Sequence, residues 1–412
     1  MNRREVDSPY AWFRLGVSVM LSAIGGVGMW SVVVALPAVQ ADFHAERGAA
    51  SMPFTLTMIG FGIGGVIMGR LADQKGIILP VMIGAGALGT GFILASVSGG
   101  LASFSAAYLL IGMFGTAATF VPLMADISFW FEKRRGLAVA LCACGNYVSG
   151  AVWPTLIDTG IRSYGWRTAH LAVGVFCILA MPPLALLLRS RPPVRAAGAP
   201  PPAASLRKIS LPPAVLQTLL AIAGLACCVA MSMPQVHIVA YCGDLGYGSA
   251  SGARMLSLML GFGIISRIGS GFLADRLGGL ATLLIGSLAQ GLALALYLMI
   301  DGLTSLYVIS ALFGLFQGGL VPSYAIIVRE SFPAKEAGGR VGIILMMTLM
   351  GMALGGWMSG VIFDLTGSYR AAFVNGVAWN ALNFLIALFL LFRSPLIARR
   401  PATTRHAGSA AE

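Results

Sequence analysis

Charge is what this chain has least of. Only 10% of its 412 residues are Asp, Glu, Lys or Arg, where a soluble globular chain carries about 25%. A water-soluble domain is therefore excluded. Acidic residues are the scarcer sign, 15 against 27 basic, which leaves a formal net charge of +12. The basic residues are spread between apolar runs instead of gathered on one face, so they report membrane orientation and no nucleic-acid partner is expected. Histidine occurs four times and joins none of the six cysteines in a metal-ligand spacing. Cys142, Cys144, Cys177, Cys227, Cys228 and Cys242 all fall in or at the ends of apolar segments, so they read as small buried hydrophobes without a disulfide framework. A Walker loop, zinc-ligand spacing and a nucleophile elbow are also missing. Neither an ATP-driven pump nor a membrane enzyme is indicated, and no metal or cofactor is expected.

Apolar residues are there in abundance: 58% of the chain, with a mean hydropathy of +0.86. They form twelve runs at residues 14–39, 51–71, 77–96, 101–127, 136–156 and 168–188, then 214–241, 252–273, 280–300, 303–328, 341–363 and 371–392. Each is near the ~20 residues that a bilayer crossing needs. Arg3 and Arg4 are followed by Glu5, Asp7 and a long apolar run, which favours an uncleaved first helix over a signal peptide. Residues 189–213 hold Arg189, Arg191, Arg195, Arg207 and Lys208 among seven prolines, the composition of an extended linker. The expected organisation is a six-helix half at 1–188, the linker, a second half at 214–392, and a tail at 393–412 expected to be disordered.

The two halves repeat. Gly69-Arg-Leu-Ala-Asp73-Gln-Lys-Gly76 returns as Gly271-Phe-Leu-Ala-Asp275-Arg276-Leu-Gly278, and Lys133-Arg-Arg-Gly136 returns as Lys335-Glu-Ala-Gly338, both 202 residues on. Trp166-Arg167 returns as Tyr369-Arg370, 203 residues on. Matches at one offset mark a duplicated unit, and duplicated membrane units suggest a carrier whose halves rock about a central site. The fold expected is all-α and polytopic, with twelve transmembrane helices in two pseudo-symmetric halves. With Arg14 counted among the loop residues, 21 of the Lys and Arg fall on the side of the termini and five opposite. That places both termini in the cytoplasm, in a cell (inner) membrane.

One basic residue fits neither side. Arg267 lies eight residues before Asp275, about 12 Å above the polar turn if helical, near the middle of a hydrocarbon core about 30 Å thick. No acidic residue lies between Leu256 and Leu273 to neutralise it. A guanidinium there costs roughly 2.5–3.5 kcal/mol on insertion scales and must face protein, a wet cavity or a counter-ion. Two readings stand: an anion that comes and goes, suited to the forked Arg, or backbone carbonyls that fix packing and nothing more.

These residues carry a resemblance that covers the whole chain. The Gly-x-x-x-Asp-x-x-Gly turn at Gly69–Gly76, with its copy at 271–278, resembles the cytoplasmic signature of the major facilitator superfamily. Trp130-Phe-Glu-Lys133-Arg134-Arg135-Gly136-Leu-Ala138, with Gly145, resembles the entry to helix 5 in the monocarboxylate transporter family and its bacterial relatives, the oxalate:formate antiporter among them. Arg267-x-x-x-Gly271 matches the position of that family's substrate-binding Arg, and Gly25-Gly26 with Trp30 is a looser echo of its first signature. The resemblance implies a secondary transporter of small organic anions, proton-linked or exchanging one anion for another and functional as a monomer. The chain departs from it at Gly263 and Ala38, where animal members carry an acidic residue and a Lys tied to proton coupling, and in the absence of a cation between Val341 and Phe363. One central positive charge suits a monoanion better than a dianion.

Other candidates are weighed beside it. Asp73 is suited to accept from a facing helix N-terminus and latch the cytoplasmic side, with Asp126 pairing Arg70, and Asp275 and Arg276 forming the second copy; plain loop solvation is the alternative. Asn146 and Gln317 sit eleven residues from Arg135 and Val328, about 16 Å deep. They either line a cavity or glue helices. Tyr147 and Tyr324 are weaker cavity candidates, since aromatics here more often pack. His237, three residues after Pro234, either titrates and admits protons or is a satisfied interfacial residue. Two rivals remain open: efflux of apolar or cationic compounds on the same scaffold, and a membrane sensor that does not transport.

Overall fold

A computed structural model describes residues 6–190, 209 and 211–394. Most of the expected linker and nearly all of the tail lie outside the described residues. Twelve helices long and apolar enough to cross a membrane follow one another, and the described residues contain no strand. They are α1 (Pro9–Asp42), α2 (Arg47–Lys75), α3 (Ile78–Ser96), α4 (Leu101–Trp130), α5 (Arg135–Tyr164) and α6 (Trp166–Leu187), then α7 (Pro213–Asp244), α8 (Ser249–Leu277), α9 (Gly279–Met299), α10 (Leu303–Ser331), α11 (Glu336–Thr366) and α12 (Tyr369–Arg393). The chain is a multi-pass membrane protein built from two six-helix halves. The first crossing begins at Pro9, where the Ser8 Oγ accepts from the Ala11 N–H at 3.3 Å. Arg14 therefore lies inside the first helix and not in a loop.

The duplication shows in the backbone. Gly76 and Gly278 end α2 and α8 with φ of +82° and +83°, and Gly165 and Gly367 end α5 and α11 with φ of +80° and +67°. Each pair is 202 residues apart, and each needs a left-handed backbone that only glycine takes without strain. The close contacts repeat as well. Gly112 of α4 rests on the backbone of Thr57 in α2, and Gly314 of α10 rests on that of Met259 in α8. Small residues let these helices approach to backbone contact, which drives association where lipid offers no hydrophobic gain.

Three crossings break in mid-course. The first is interrupted at Gly26, α4 passes through a π-type turn at Ile111–Thr116 and a 3₁₀ turn at Ala117–Thr119, and α10 breaks at Gly318 and Gly319. The breaks in α4 and α10 occupy corresponding positions of the two halves.

The halves meet through α2 against α11 and α5 against α8, and they meet most closely on the face away from the termini. There Arg47 of α2 donates to Asp244 of α7 at 3.1 and 3.2 Å and to the Tyr369 hydroxyl at 2.9 Å. Its guanidinium carbon also lies 4.6 Å from the Phe363 ring centroid. Asp364 accepts from the backbone N–H groups of Arg47 at 2.8 Å and Gly48 at 2.6 Å. Asp158 accepts from Ser249 at 2.7 Å, and Thr155 bonds Ser257 at 3.0 Å. Glycines complete the seal, Gly48 against Val361 and Gly360 against the Arg47 backbone. The side-chain hydrogen bonds described between the halves reach no farther toward the termini than Arg267 at mid-depth. The molecule is closed away from its termini and open toward them.

Removing the Arg47 side chain should release that closed face. The Asp244 side chain is 37% exposed, so the pair is worth about 1 kcal/mol, roughly a five-fold shift in the open-to-closed ratio. In Arg47→Ala, a Ser257→Cys reporter should react several-fold faster with a membrane-impermeant maleimide added from the side away from the termini. An unchanged labelling rate would show that Arg47 is not what holds the face shut.

Candidate functional site

The central polar site forms where α8 of one half crosses α5 of the other. Arg267 is half-buried, and its Nη1 donates to the Ala143 carbonyl at 3.1 Å. Its guanidinium carbon lies over the Tyr147 ring, 4.8 Å from the centroid. Both partners belong to the opposite half, so the guanidinium bridges the interface at mid-depth. Its Nε is buried without an acceptor among the described residues. The carbonyl reading is thus half realised: one N–H is satisfied, and the Nε–Nη2 edge is not.

The other buried arginines differ. Arg14 is fully buried and donates from Nε and Nη2 to both oxygens of Asp126, at 2.7 and 2.9 Å, and from Nη1 to the carbonyls of Leu188 and Ser190 at 2.9 and 3.2 Å. Arg47 has Asp244. Among the described residues, Arg267 is the one buried or half-buried arginine at mid-membrane depth with no carboxylate in reach. Sequence reading placed Arg14 at the cytoplasmic boundary of the first run and missed that it is buried, because an apolar-run criterion stops at a charge. Only the fold shows that Asp126, 112 residues on, is its partner. The expected Asp126–Arg70 pair is not formed: Arg70 is exposed, and Asp126 lies buried beneath Arg14.

The remaining candidates divide. Gln317, at the break in α10, is buried and accepts from the Gln235 Nε2 at 2.9 Å, while its own Nε2 has no partner. The adjacent Gly318 packs on the Gly263 carbonyl and on Ser266, the turn of α8 that leads into Arg267. Asn146 is half-buried, with its carboxamide oxygen against Gly26 at the break in α1 and its backbone carbonyl accepting from the Trp30 indole at 3.3 Å. Tyr147 is in the site. Tyr324 is not: its hydroxyl donates to the Asn383 Oδ1 at 2.7 Å inside the second half.

His237 is fully buried, not interfacial. Its Nε2 lies 2.8 Å from the Gly356 carbonyl and its Nδ1 2.8 Å from the Tyr369 hydroxyl. A carbonyl only accepts, so Nε2 carries the proton, Nδ1 accepts from Tyr369, and the Tyr369 oxygen accepts from Arg47. The ring is a member of the closed-face network. Asp73, Asp275 and Arg276 are exposed, and none makes a hydrogen bond or ion pair among the described residues. In this open arrangement no helix N-terminus receives Asp73. A cleft of about 680 Å³ lies beside it, lined in part by Arg14, Lys75, Asp126 and Arg189.

Comparison with known proteins agrees with this architecture. The family model described as Major Facilitator Superfamily matches residues 19–309 and 270–411. Monocarboxylate transporter 13 of Rattus norvegicus is 29% identical over 79% of this chain and 75% of its own, and that of Bos taurus is 30% identical over 69% and 68%. Agnestins efflux protein AgnL12 of Paecilomyces divaricatus is 26% identical over 58% and 54%. Among solved structures, a bacterial homologue of the human lysosomal transporter Spinster, inward-facing and unoccupied, superposes with a TM-score of 0.72 at 14% identity, covering 94% of this chain and 99% of that one. That likeness concerns the fold.

The Arg14–Asp126 pair fixes stability before it touches transport. Breaking a buried pair from one side leaves an uncompensated charge and costs about 3–5 kcal/mol. Asp126→Ala should therefore melt well below the parent in detergent, and Arg14→Met combined with Asp126→Leu should recover most of the loss. An Asp126→Ala protein of parental melting temperature that had lost only transport would return Asp126 to a gating role.

Proposed function

The chain belongs to the major facilitator superfamily, and from that premise we propose that it is a secondary transporter of small organic anions, foremost monocarboxylates, working by alternating access. The observation that carries this reading is the lone guanidinium of Arg267. It lies at the junction of the halves and at mid-depth, without a carboxylate, while Arg14 and Arg47 each have one. An uncompensated cation in a low-dielectric site is tolerated where its counter-ion is the cargo. A single such charge fits a monoanion.

Tyr147 supplies the aromatic face against it, while Gln317 and Asn146 stand at the breaks of α10 and α1. The open face is the one carrying the termini, which the excess of Lys and Arg assigns to the cytoplasm, so the arrangement is inward-open. Asp73, with Asp275 and Arg276, would engage when that face closes. Movement is linked to a proton or to a counter-transported anion, either of which balances the charge carried.

Export of an apolar compound is the second reading, favoured by the efflux protein among the relatives. It makes Arg267 structural. Uptake of radiolabelled lactate, pyruvate and oxalate into proteoliposomes, with and without a pH gradient, separates the two. Losing one charge-assisted bidentate contact is worth about 2–3 kcal/mol, so Arg267→Gln should weaken apparent monocarboxylate affinity roughly 30- to 150-fold. Arg267→Lys should be nearly as poor, because an ammonium lacks the fork. Full monocarboxylate uptake by Arg267→Gln would end the anion reading.

A further inference from the structure

The half-buried guanidinium of Arg267 is held by a ring whose place depends on a glycine. Tyr147 lies under the guanidinium, 4.8 Å from centroid to Cζ. A Cβ on Gly263, one helical turn before Arg267, would run into the Cε1 and Cδ1 atoms of that ring. Position 263 therefore has no room for a side chain while Tyr147 stands where it does. The ring takes up the space beside the guanidinium without supplying a negative charge.

Geometry also settles which edge of the fork is committed. Nη1 is taken by the Ala143 carbonyl at 3.1 Å, one turn before Tyr147 on the same helix. The ring covers a face. Nε and Nη2 have no acceptor among the described residues, and Nε is buried. Those two N–H groups form the side-on pair of the fork, the pair that takes a carboxylate with two parallel hydrogen bonds.

We infer that Tyr147 is a positioning residue for Arg267, its ring and the Ala143 carbonyl together fixing the guanidinium so that the Nε–Nη2 edge is presented to one carboxylate. Gly263 is the complement that admits the ring. This rests on the anion-transport reading above and deepens it: the site takes a single carboxylate, side-on, and it is assembled only when α5 and α8 are in contact across the halves. An attraction of the cation–π kind is needed from the ring, and the phenolic hydroxyl is not, since no hydrogen bond to it is formed among the described residues.

The test is the split between KM and maximal rate for radiolabelled lactate and pyruvate in proteoliposomes. Tyr147→Leu should raise KM roughly five- to thirty-fold, with maximal rate within about two-fold. Tyr147→Phe, which keeps the ring face, should bring KM back to near the parental value. Gly263→Ala should raise KM as Tyr147→Leu does, and the double variant should be no worse than the worse single, because both act through one ring. An unmoved KM in Tyr147→Leu, a Tyr147→Phe as impaired as Tyr147→Leu, or additive losses in the double variant would each overturn the inference. Monodispersity and melting temperature of each variant identify one that fails to fold, in which case Tyr147→Phe and Gly263→Ala still decide. Arg267→Gln keeps the two ideas apart. If it transports like the parent, the anion reading falls. If it fails while Tyr147→Leu keeps its KM, only the positioning role falls.

Discussion

A guanidinium cannot shed its proton to escape a low-dielectric site, and the interior of this protein is organised around that constraint. Arg14 is matched by Asp126 and two carbonyls, and Arg47 by Asp244 and Tyr369. Each of these pairs sets a carboxylate against the cation, although the Nε of Arg47 has no acceptor among the described residues. The desolvation cost of such a group is of order several kcal/mol, and an opposite charge is what offsets most of it. The set around Arg267 is incomplete in another way: it has no carboxylate among the described residues and is divided between a carbonyl and a ring of the opposite half. The incompleteness sits where the halves meet, the region whose geometry must change during a transport cycle.

The closed face supplies the other half of that argument. Arg47, Asp244, Asp364, Tyr369 and His237 form one network, and it joins the starts of α2 and α12 to α7 and to the end of α11. Interfaces of this type have two arrangements and little between them. Opening this face exposes the Arg47 charge to water, so hydration replaces part of what is lost. Near-balance of that kind is what an alternating carrier requires, because a seal worth many kcal/mol would trap it on one side.

The architecture was legible because it is written in local pattern. Twelve apolar runs and the offset of 202 between Asp73 and Asp275 are visible without coordinates, and so is an Arg with no acidic neighbour in sequence. What escaped is written in long-range geometry. Arg14 opens the first apolar run and so counts as a boundary charge; the helix starts five residues earlier, at Pro9, and Asp126 meets Arg14 from α4. For His237 the sequence leaves titration and a satisfied hydrogen bond both open, and its partners, Gly356 and Tyr369, 119 and 132 residues away, decide for the second. The pairing of Asp126 with Arg70 was inferred from shared depth, and depth says nothing of azimuth. The glycine at 263 was visible only as a missing charge, while its steric meaning required the Tyr147 ring to be in place.

On the proposed reading, the same charge accounting bears on how the carrier returns. Between its two open states the molecule passes through a form in which both faces are shut and the cavity is narrowed. With a monocarboxylate on Arg267 that form encloses a neutral pair. Empty, it encloses a guanidinium whose Nη2 loses its access to water and whose Nε, buried already in the open arrangement, still lacks an acceptor among the described residues. The empty passage is therefore the costlier one, and the loaded passage is favoured in both directions. A carrier so built turns over fastest when an anion waits on each side. His237, with both ring nitrogens engaged, offers no free site for a coupled proton in this arrangement. A proton that moves with the cargo would then be drawn from the cargo itself or from water at the open face, and the pH dependence of transport would follow the acid carried more closely than any residue of the chain.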